Sequence, residues 1–535
     1  MNRKTRRDFL KAASTVVSLP LLSQLPFLSA MISPSKASAL TTQPNVLFIT
    51  IDDLNDFASP FGGYSQILTP NMERLAKQSL VFQNAHTPWP ECSGARTSFM
   101  TGIAQYRSKM PGKIFNISTD DGVKAALGIN SLQTIPRYFK SKGYKTIGGG
   151  KLFHGGFGMT SADYGFYDQA AWDSYYNLNF SDIAFQFPGQ PNYRDELVVD
   201  QATHSIPGIA SSKISKMIGA YYNTPEQEAA MPDKLLAQWA EQQIKALSLA
   251  GTGQPFFMGI GFYRPHMAFY VPQRFYDMYP LELIRTQNFA SQIDDLKDTP
   301  DFAIKNFLNG DQEDLQSMLL KNNRNGAAQA IQAYLASISF VDECLGQLLS
   351  ALQRYSLASN TMIVLTSDHG WFLGEKLGWR KFRLYDRATR IPMMISIPGG
   401  PIGNTNQIAS SLDLFPTMID YTGGLNTVSA DLLKQLDGKS LKPLLDNPLN
   451  INTNSYAIST YIDAAPSTTF YHSIRTSRWR YTAYPAIPGS RISEELFDLT
   501  NDVGETRNLM YWEPERYAAI RNSLRDILLN RVGAA

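Results

Sequence analysis

The sequence predicts an α/β fold: a mostly parallel sheet flanked by helices, followed by a smaller C-terminal α+β domain. Three observations predict it. Short apolar runs at 45–51, 145–148, 256–262, 362–366 and 393–397 end abruptly in polar or glycine-rich turns. Patterns of helical period lie between them, at 69–78, 131–142, 233–247 and 327–352. The runs are apolar at successive positions, so both faces of each strand need cover, and helices on both sides of a parallel sheet supply it.

The chain opens with Thr5-Arg6-Arg7-Asp8-Phe9-Leu10-Lys11, which matches a twin-arginine export signal. A mildly apolar stretch follows, interrupted by Pro20 and Pro26, then an Ala37-Ser38-Ala39 cleavage site. Residues 1–39 are thus expected to be a signal peptide read by the twin-arginine translocase, and the mature protein to be periplasmic or extracellular. No stable membrane span is expected, because the prolines and serines break the apolar run. The whole chain carries +2; residues 1–39 account for +5, which leaves −3. No global basic field remains to attract nucleic acid, so an anionic ligand would have to be recognised locally.

The first strand, 45–51, runs into Asp52-Asp53. Adjacent side chains on a strand point to opposite faces, so both carboxylates meet one ion only where the backbone turns. Paired carboxylates there suit a hard cation such as Ca²⁺ or Mg²⁺; a turn or helix cap also uses aspartate. The second strand is followed by Lys151 and His154, the third by His266, and the fourth by Asp368-His369. A carboxylate and an imidazole at a strand end can complete a metal site or simply hydrogen-bond each other. Ligands of open α/β sheets bind beyond the carboxyl ends of the strands, so four segments deliver titratable groups to one edge.

The polar segment 284–325 reads as an irregular surface insertion shaping the cleft. Past Pro398-Gly399-Gly400 the character changes. A helix is expected at 412–421 and a boundary near Gly423-Gly424, giving a catalytic domain over 40–424 and a C-terminal domain over 425–535. Strands at 456–461 and 473–484 and a final helix over 513–529 are expected there. Of the two cysteines, Cys344 falls in a helical apolar pattern and is expected to be buried, whereas Cys92 sits among small residues. No disulfide is expected.

The segment Pro90-Glu91-Cys92-Ser93-Gly94-Ala95-Arg96, with Thr101-Gly102 beyond it, resembles the sulfatase signature Cys-x-Pro-x-Arg. Cys92, Arg96, Thr101 and Gly102 match; Gly94 stands where proline is usual. Further segments are similar to the iduronate-2-sulfatase branch of that family. They are Ser79–Ala85, Thr134–Lys140, Gly150-Lys151-Leu152-Phe153-His154, Gly261–His266, Ser367–Trp371, Gly374-Glu375, Trp379–Phe382 and Glu495–Leu499. Lys376 stands where histidine is usual.

The resemblance implies an alkaline-phosphatase-like fold and a sulfuric ester hydrolase acting on a sulfated saccharide. It implies conversion of Cys92 to 3-oxoalanine (formylglycine) by a formylglycine-generating enzyme. Asp52, Asp53, Asp368, His369 and the modified Cys92 would bind Ca²⁺, in preference to Mg²⁺. Arg96 and Lys151 would stabilise the formylglycine diol. Lys151, His154, His266 and Lys381 would surround the sulfate, with His266 as the acid for the leaving oxygen. Arg264, Arg380, Arg383 and Arg387 flank these motifs, and at least one of them is expected to read a substrate anion. Two alternatives stand beside this reading. One is a phosphodiesterase or phosphonate monoester hydrolase of the same superfamily, although the six histidines are few for a two-metal phosphatase site. The other is a non-catalytic sulfated-glycan binder with Cys92 unmodified.

Overall fold

The computed structural model describes residues 43–108, 121–154, 168–177, 218–220, 224–267, 269–286, 291, 294–307, 323–452, 455–462, 469–490 and 492–533. The expected export signal lies outside them.

A nine-stranded sheet forms the centre. Its strands are β1 (Asn45–Ile51), β2 (Leu80–His86), β3 (Lys145–Gly150), β4 (Ser174–Tyr176), β5 (Phe256–Phe262), β6 (Thr361–Ser367), β7 (Arg390–Ile391), β8 (Met393–Ser396) and β9 (Gly403–Ser410). They are ordered β7-β2-β8-β6-β1-β5-β3-β4, with β9 also on β2. Strands β6, β1, β5, β3 and β4 are parallel neighbours. Strand β8 is antiparallel to both β6 and β2, which returns β2 to the common direction.

The two-sided burial read from the sequence is visible along β1. Leu47, Ile49 and Ile51 enter one core, while Val46 and Phe48 enter the other. Helices α3 (Pro232–Ala250) and α4 (Asn323–Arg354) close the first core with Leu236, Ile244, Tyr334 and Leu345. Helices α1 (Cys92–Thr101), α2 (Ile135–Ser141) and α5 (Leu414–Thr422) close the second with Phe99, Phe139 and Phe415. Leu432, Leu444 and Leu445 join that second core. Within α4 the span Gly326–Arg354 is long and apolar enough to cross a membrane, but 83% of its apolar window is buried inside the protein. Cys344 is one of those buried residues, and both cysteines are free thiols.

Strands β2 and β9 escape the apolar-run criterion. Gln83 and Asn84 interrupt β2, and their amides donate to Pro60 O at 2.9 Å and Asn406 O at 3.1 Å. The segment 284–325 is also more than surface. In its described part Asp295 accepts from Lys376 at 2.9 Å, Asp298 accepts from Asn508 N at 3.0 Å, and Phe302 packs in a core. Asp295 and Asp298 are buried, each with a donor.

The C-terminal sheet is antiparallel, in the order β10 (Ala457–Ile462), β11 (Phe470–Arg475), β12 (Trp479–Ala483), β13 (Glu494–Asp498). The single strand expected over 473–484 is instead two strands joined by a turn, where Thr476 Oγ1 accepts from Trp479 N at 2.9 Å. Helix α6 (Ala518–Val532) packs Leu524 and Leu528 against Ile474, Tyr481 and Leu496. It starts later than the expected 513 because Leu509–Trp512 forms a separate turn of helix.

Candidate active site

Four adjacent parallel strands end side by side: β6 at Asp368-His369, β1 at Asp52-Asp53, β5 just before His266, and β3 at Lys151 and His154. Strand β2 leads to α1, whose first residue is Cys92. Lys381 follows the short pairing of Trp379–Arg380 with Phe372–Leu373. The strand-end residues, Cys92 and Lys381 are therefore delivered to one edge of the sheet.

The turn that the aspartate pair requires is present. Asp53 has φ +60°, a left-handed conformation that non-glycine residues adopt only under external constraint. The constraint is visible. Asp53 N donates to Asp368 Oδ1 at 3.1 Å, and Tyr334 OH donates to Asp53 O at 2.7 Å while accepting from Asn55 N at 2.9 Å. Arg380 and Phe382, on either side of Lys381, also have positive φ, +74° and +79°.

Arg96 organises the floor. Its Nη2 donates to Asp52 Oδ1 and its Nε to Asp368 Oδ2, both at 3.0 Å, and its Nη1 donates to the Lys151 carbonyl. From Cys92, one turn of helix carries Arg96 to this point. Lys151 Nζ donates to Asp52 Oδ2. Above this floor Lys381 Nζ lies 2.6 Å from Asp53 Oδ1 and 2.8 Å from Cys92 Sγ. His369 Nε2 is 3.3 Å from both Cys92 Sγ and Asp53 Oδ1. His266 Nε2 stands 3.9 Å from Asp53 Oδ2, and its Nδ1 meets Met267 O at 2.6 Å. A carboxylate oxygen of Glu91, Cys92 Sγ and a His154 ring nitrogen lie within 4.8 Å of one another.

The charges are strongly coupled. Burial would raise Asp52, but Lys151 and Arg96 outweigh it and hold the carboxyl well below its usual range. Burial raises Asp368 despite Arg96, because Asp52 adds like charge. The Cys92 thiol is pushed well up by burial, against the pull of Lys151 and Lys381. Burial would lower Lys381, yet Asp53 and Cys92 raise it well above normal. Burial drives His266 down to about 3 and, with Lys151, His154 to about 4, so both are neutral imidazoles at neutral pH.

The residues suit a hard cation. Asp52, Cys92, Asp368 and His369 each offer a ligand atom within 4.8 Å of the others. Asp53 Oδ2, fully buried, has no hydrogen-bond partner. A buried carboxylate oxygen without a donor, in an oxygen-rich set, is what a bound Ca²⁺ or Mg²⁺ would satisfy.

The arginines divide. Arg387 is committed to Asp56 and, at 2.9 Å, to Glu375. Arg264 donates to the carbonyls of Tyr270 at 3.2 Å and His266 at 3.3 Å, shaping the His266 turn instead of facing a ligand. Sequence reasoning overlooked Asp233, whose two oxygens accept from Tyr263 N at 2.8 Å and Arg264 N at 2.9 Å. It also overlooked Glu91, which caps α1 through Ser93 N and Gly94 N. A carboxylate directly before the first residue of a helix is a legible capping signal.

A family model described as "Sulfatase" matches residues 44–424, and one described as "N-sulphoglucosamine sulphohydrolase, C-terminal" matches residues 368–532. A sulfatase of Formosa agariphila is 32% identical over 476 residues, 87% of this chain and 83% of that protein. The iduronate 2-sulfatase of Homo sapiens is 32% identical over 377 residues, 69% of this chain and 62% of that protein. The phosphonate monoester hydrolase structure of Agrobacterium radiobacter superposes with a TM-score of 0.65 at 20% identity, covering 91% of this chain and 95% of that one. At that identity the likeness concerns the fold, which is the alkaline-phosphatase-like arrangement.

Proposed function

The chain belongs to the sulfatase family and is a sulfuric ester hydrolase; from that premise we propose that it removes sulfate from a sulfated saccharide, using formylglycine made from Cys92 and a bound Ca²⁺. One observation carries the reading. The Cys92 side chain begins a helix and faces Lys381 at 2.8 Å and His369 at 3.3 Å, above carboxylates that Arg96 and Lys151 already hold.

A formylglycine at residue 92 would supply a hydrated aldehyde, with one hydroxyl as nucleophile toward sulfur and the other as the group whose deprotonation releases sulfate. Asp52, Asp53, Asp368 and His369 would hold the Ca²⁺, which supplies Lewis acidity. The remaining work falls to the chain's own side chains. Attack on sulfur places more charge on its oxygens, and the fixed cations Lys151 and Lys381 oppose that charge in a dry site. His266 is fixed with Nδ1 on the Met267 carbonyl, so Nε2 is the position that exchanges a proton with the leaving oxygen. Substrate-free His266 is neutral, and the negative charge of an arriving sulfate favours its protonation.

The saccharide assignment is supported by similarity to an iduronate 2-sulfatase. Export through the twin-arginine pathway, supported by the Arg6-Arg7 motif, places the enzyme where sulfated polysaccharides occur. Two measurements test the reading. Mass analysis of the Cys92 peptide from an active preparation is expected to show formylglycine; an unmodified thiol throughout would overturn the nucleophile. Kinetics on defined sulfated oligosaccharides, an aryl sulfate and a phosphonate monoester are expected to give the highest kcat/KM for a saccharide. A higher value for either of the other two overturns the substrate class.

A further inference from the structure

Gly94 occupies the position where proline is usual in this family, and the structure shows what replaces it. A Cβ on Gly94 would lie 2.4 Å from Trp89 Cδ1 and 2.6 Å from Trp89 Nε1. The indole, 1% exposed, therefore lies directly across the glycine backbone. A proline here would compete with it for space. It would also remove a donor, because Gly94 N bonds to Glu91 Oε2 at 3.3 Å.

Glu91 gathers three further donors: Ser93 N at 3.0 Å, Ser93 Oγ at 2.9 Å and Trp89 Nε1 at 3.3 Å. The carboxylate thus ties the indole to the first turn of α1. The approach to that turn is pinned in addition. Ser459 Oγ donates to Thr87 O at 2.6 Å, Thr460 N to Pro88 O at 2.9 Å, and Phe382 N to Pro90 O at 3.0 Å. Tyr461 of β10 packs on Trp89 with ring centroids 5.0 Å apart.

We propose that Trp89, Glu91 and Gly94 are positioning residues that act as one brace. They fix the first turn of α1 against β10 so that residue 92 faces Lys381 and His369. The proposal rests on the sulfatase reading for its catalytic consequence, but not for its geometry. An indole and a carboxylate stiffen the turn from outside the helix. Glycine is required because the indole needs the space of a side chain.

The test is a variant set: Gly94→Ala, Trp89→Leu, the double variant, Glu91→Gln and Glu91→Ala. For each, Tm, the formylglycine fraction by mass, and kcat and KM per converted site are measured. Gly94→Ala is expected to lower kcat on the order of tenfold or more with KM nearly unchanged, because a misplaced reacting group costs rate, not affinity. The double variant is expected to recover kcat above the product of the two single effects, since leucine vacates the space that the new methyl needs. Glu91→Gln keeps an acceptor oxygen for the backbone donors and is expected to retain most activity, unlike Glu91→Ala. Wild-type kcat in Gly94→Ala, or no coupling in the double variant, overturns the brace. Alkylation of unconverted Cys92 by iodoacetamide reads the same geometry without turnover. Gly94→Ala is expected to change that rate several-fold and Trp89→Leu to reverse the change, and equal rates would overturn the brace. An enzyme inactive on every sulfate ester whose alkylation rates still show this coupling would sink the sulfatase chemistry alone.

Discussion

Lys381 Nζ lies 2.6 Å from Asp53 Oδ1, so a carboxylate assigned to the metal is also held by a cation of the chain itself. The pair is fully buried, and breaking it from either side leaves an uncompensated charge. Lys381 therefore serves two roles: it fixes Asp53 and it faces residue 92.

Removing that ammonium is expected to be costly in rate. Lys381→Ala should lower kcat/KM by about a hundredfold or more, as for loss of a preorganised charge. Lys381→Arg should restore little, because a planar fork does not occupy the place of a compact ammonium. Steady-state kinetics with melting curves separate this from unfolding. Near wild-type kcat/KM in Lys381→Ala would exclude Lys381 from the chemistry.

Metal content follows the carboxylates. Asp53→Asn and Asp368→Asn are expected to abolish stoichiometric Ca²⁺, measured by plasma emission on the dialysed protein, while circular dichroism is retained. Chelation should remove activity and Ca²⁺ should restore it. Two stoichiometric transition metals per chain would point instead to phosphatase chemistry.

Glu495 should contribute stability that falls as pH rises through neutrality. Glu495 is fully buried, accepting from Tyr385 OH at 2.6 Å and Tyr484 OH at 2.8 Å, and burial pushes it up to about 7 against the pull of Lys376. An unfolded glutamate titrates near about 4.3. The folded state thus binds the proton more tightly, and the stabilisation present below the unfolded value is lost as pH passes about 7. Between about pH 6 and about pH 8 this contribution should fall by roughly 1 kcal/mol, read by denaturant titration as the difference between wild type and Glu495→Gln, because buried neutral histidines such as His154 and His266 add slope of the opposite sign. Glu495→Gln should remove that fall; Glu505, also raised by burial to about 7, supplies slope of the same sign and stays in both proteins. An unchanged slope in Glu495→Gln would rule Glu495 out as a source.

One acid, Asp386, bridges the two sheets by charge. Asp386 takes Arg475 at 3.2 Å and also Arg480, whose Nε reaches Glu505 at 2.6 Å. Asp386→Ala leaves Arg475 without a carboxylate and Arg480 with Glu505 alone, and should cost about 3–5 kcal/mol of folding free energy. A loss below about 1 kcal/mol would show that Glu505 alone suffices.

The sequence reveals those parts of the site whose signal is local. Asp52-Asp53, Lys151, His154, His266 and Asp368-His369 each follow a strand whose apolar run is plain, and parallel packing then places them together. The Cys92 segment is recognisable from its spacing to Arg96. Strand β2 is hidden because Gln83 and Asn84 break its apolar run, and β9 because it carries few apolar side chains. Asp233 looks like any helix-start aspartate until its partners, Tyr263 N and Arg264 N, are placed beside it. Arg387 is one of four arginines of which at least one is expected to read a substrate anion, and its own partners are Asp56 and Glu375. Partner choice among charged side chains is a property of the folded arrangement, not of local sequence.

The bond from Ser459 to Thr87 joins residues 372 positions apart. In the finished protein Cys92 is 2% exposed, walled in by Lys381, His369 and the segment that β10 pins. A macromolecular reagent can therefore reach this thiol only before the chain has closed over it. At about 5–20 residues per second, the interval between synthesis of residue 92 and of β10 is roughly 20–70 s. Chemistry at Cys92 is a race against the arrival of the C-terminal sheet, and slower closure of that sheet would lengthen the time in which the thiol can be changed.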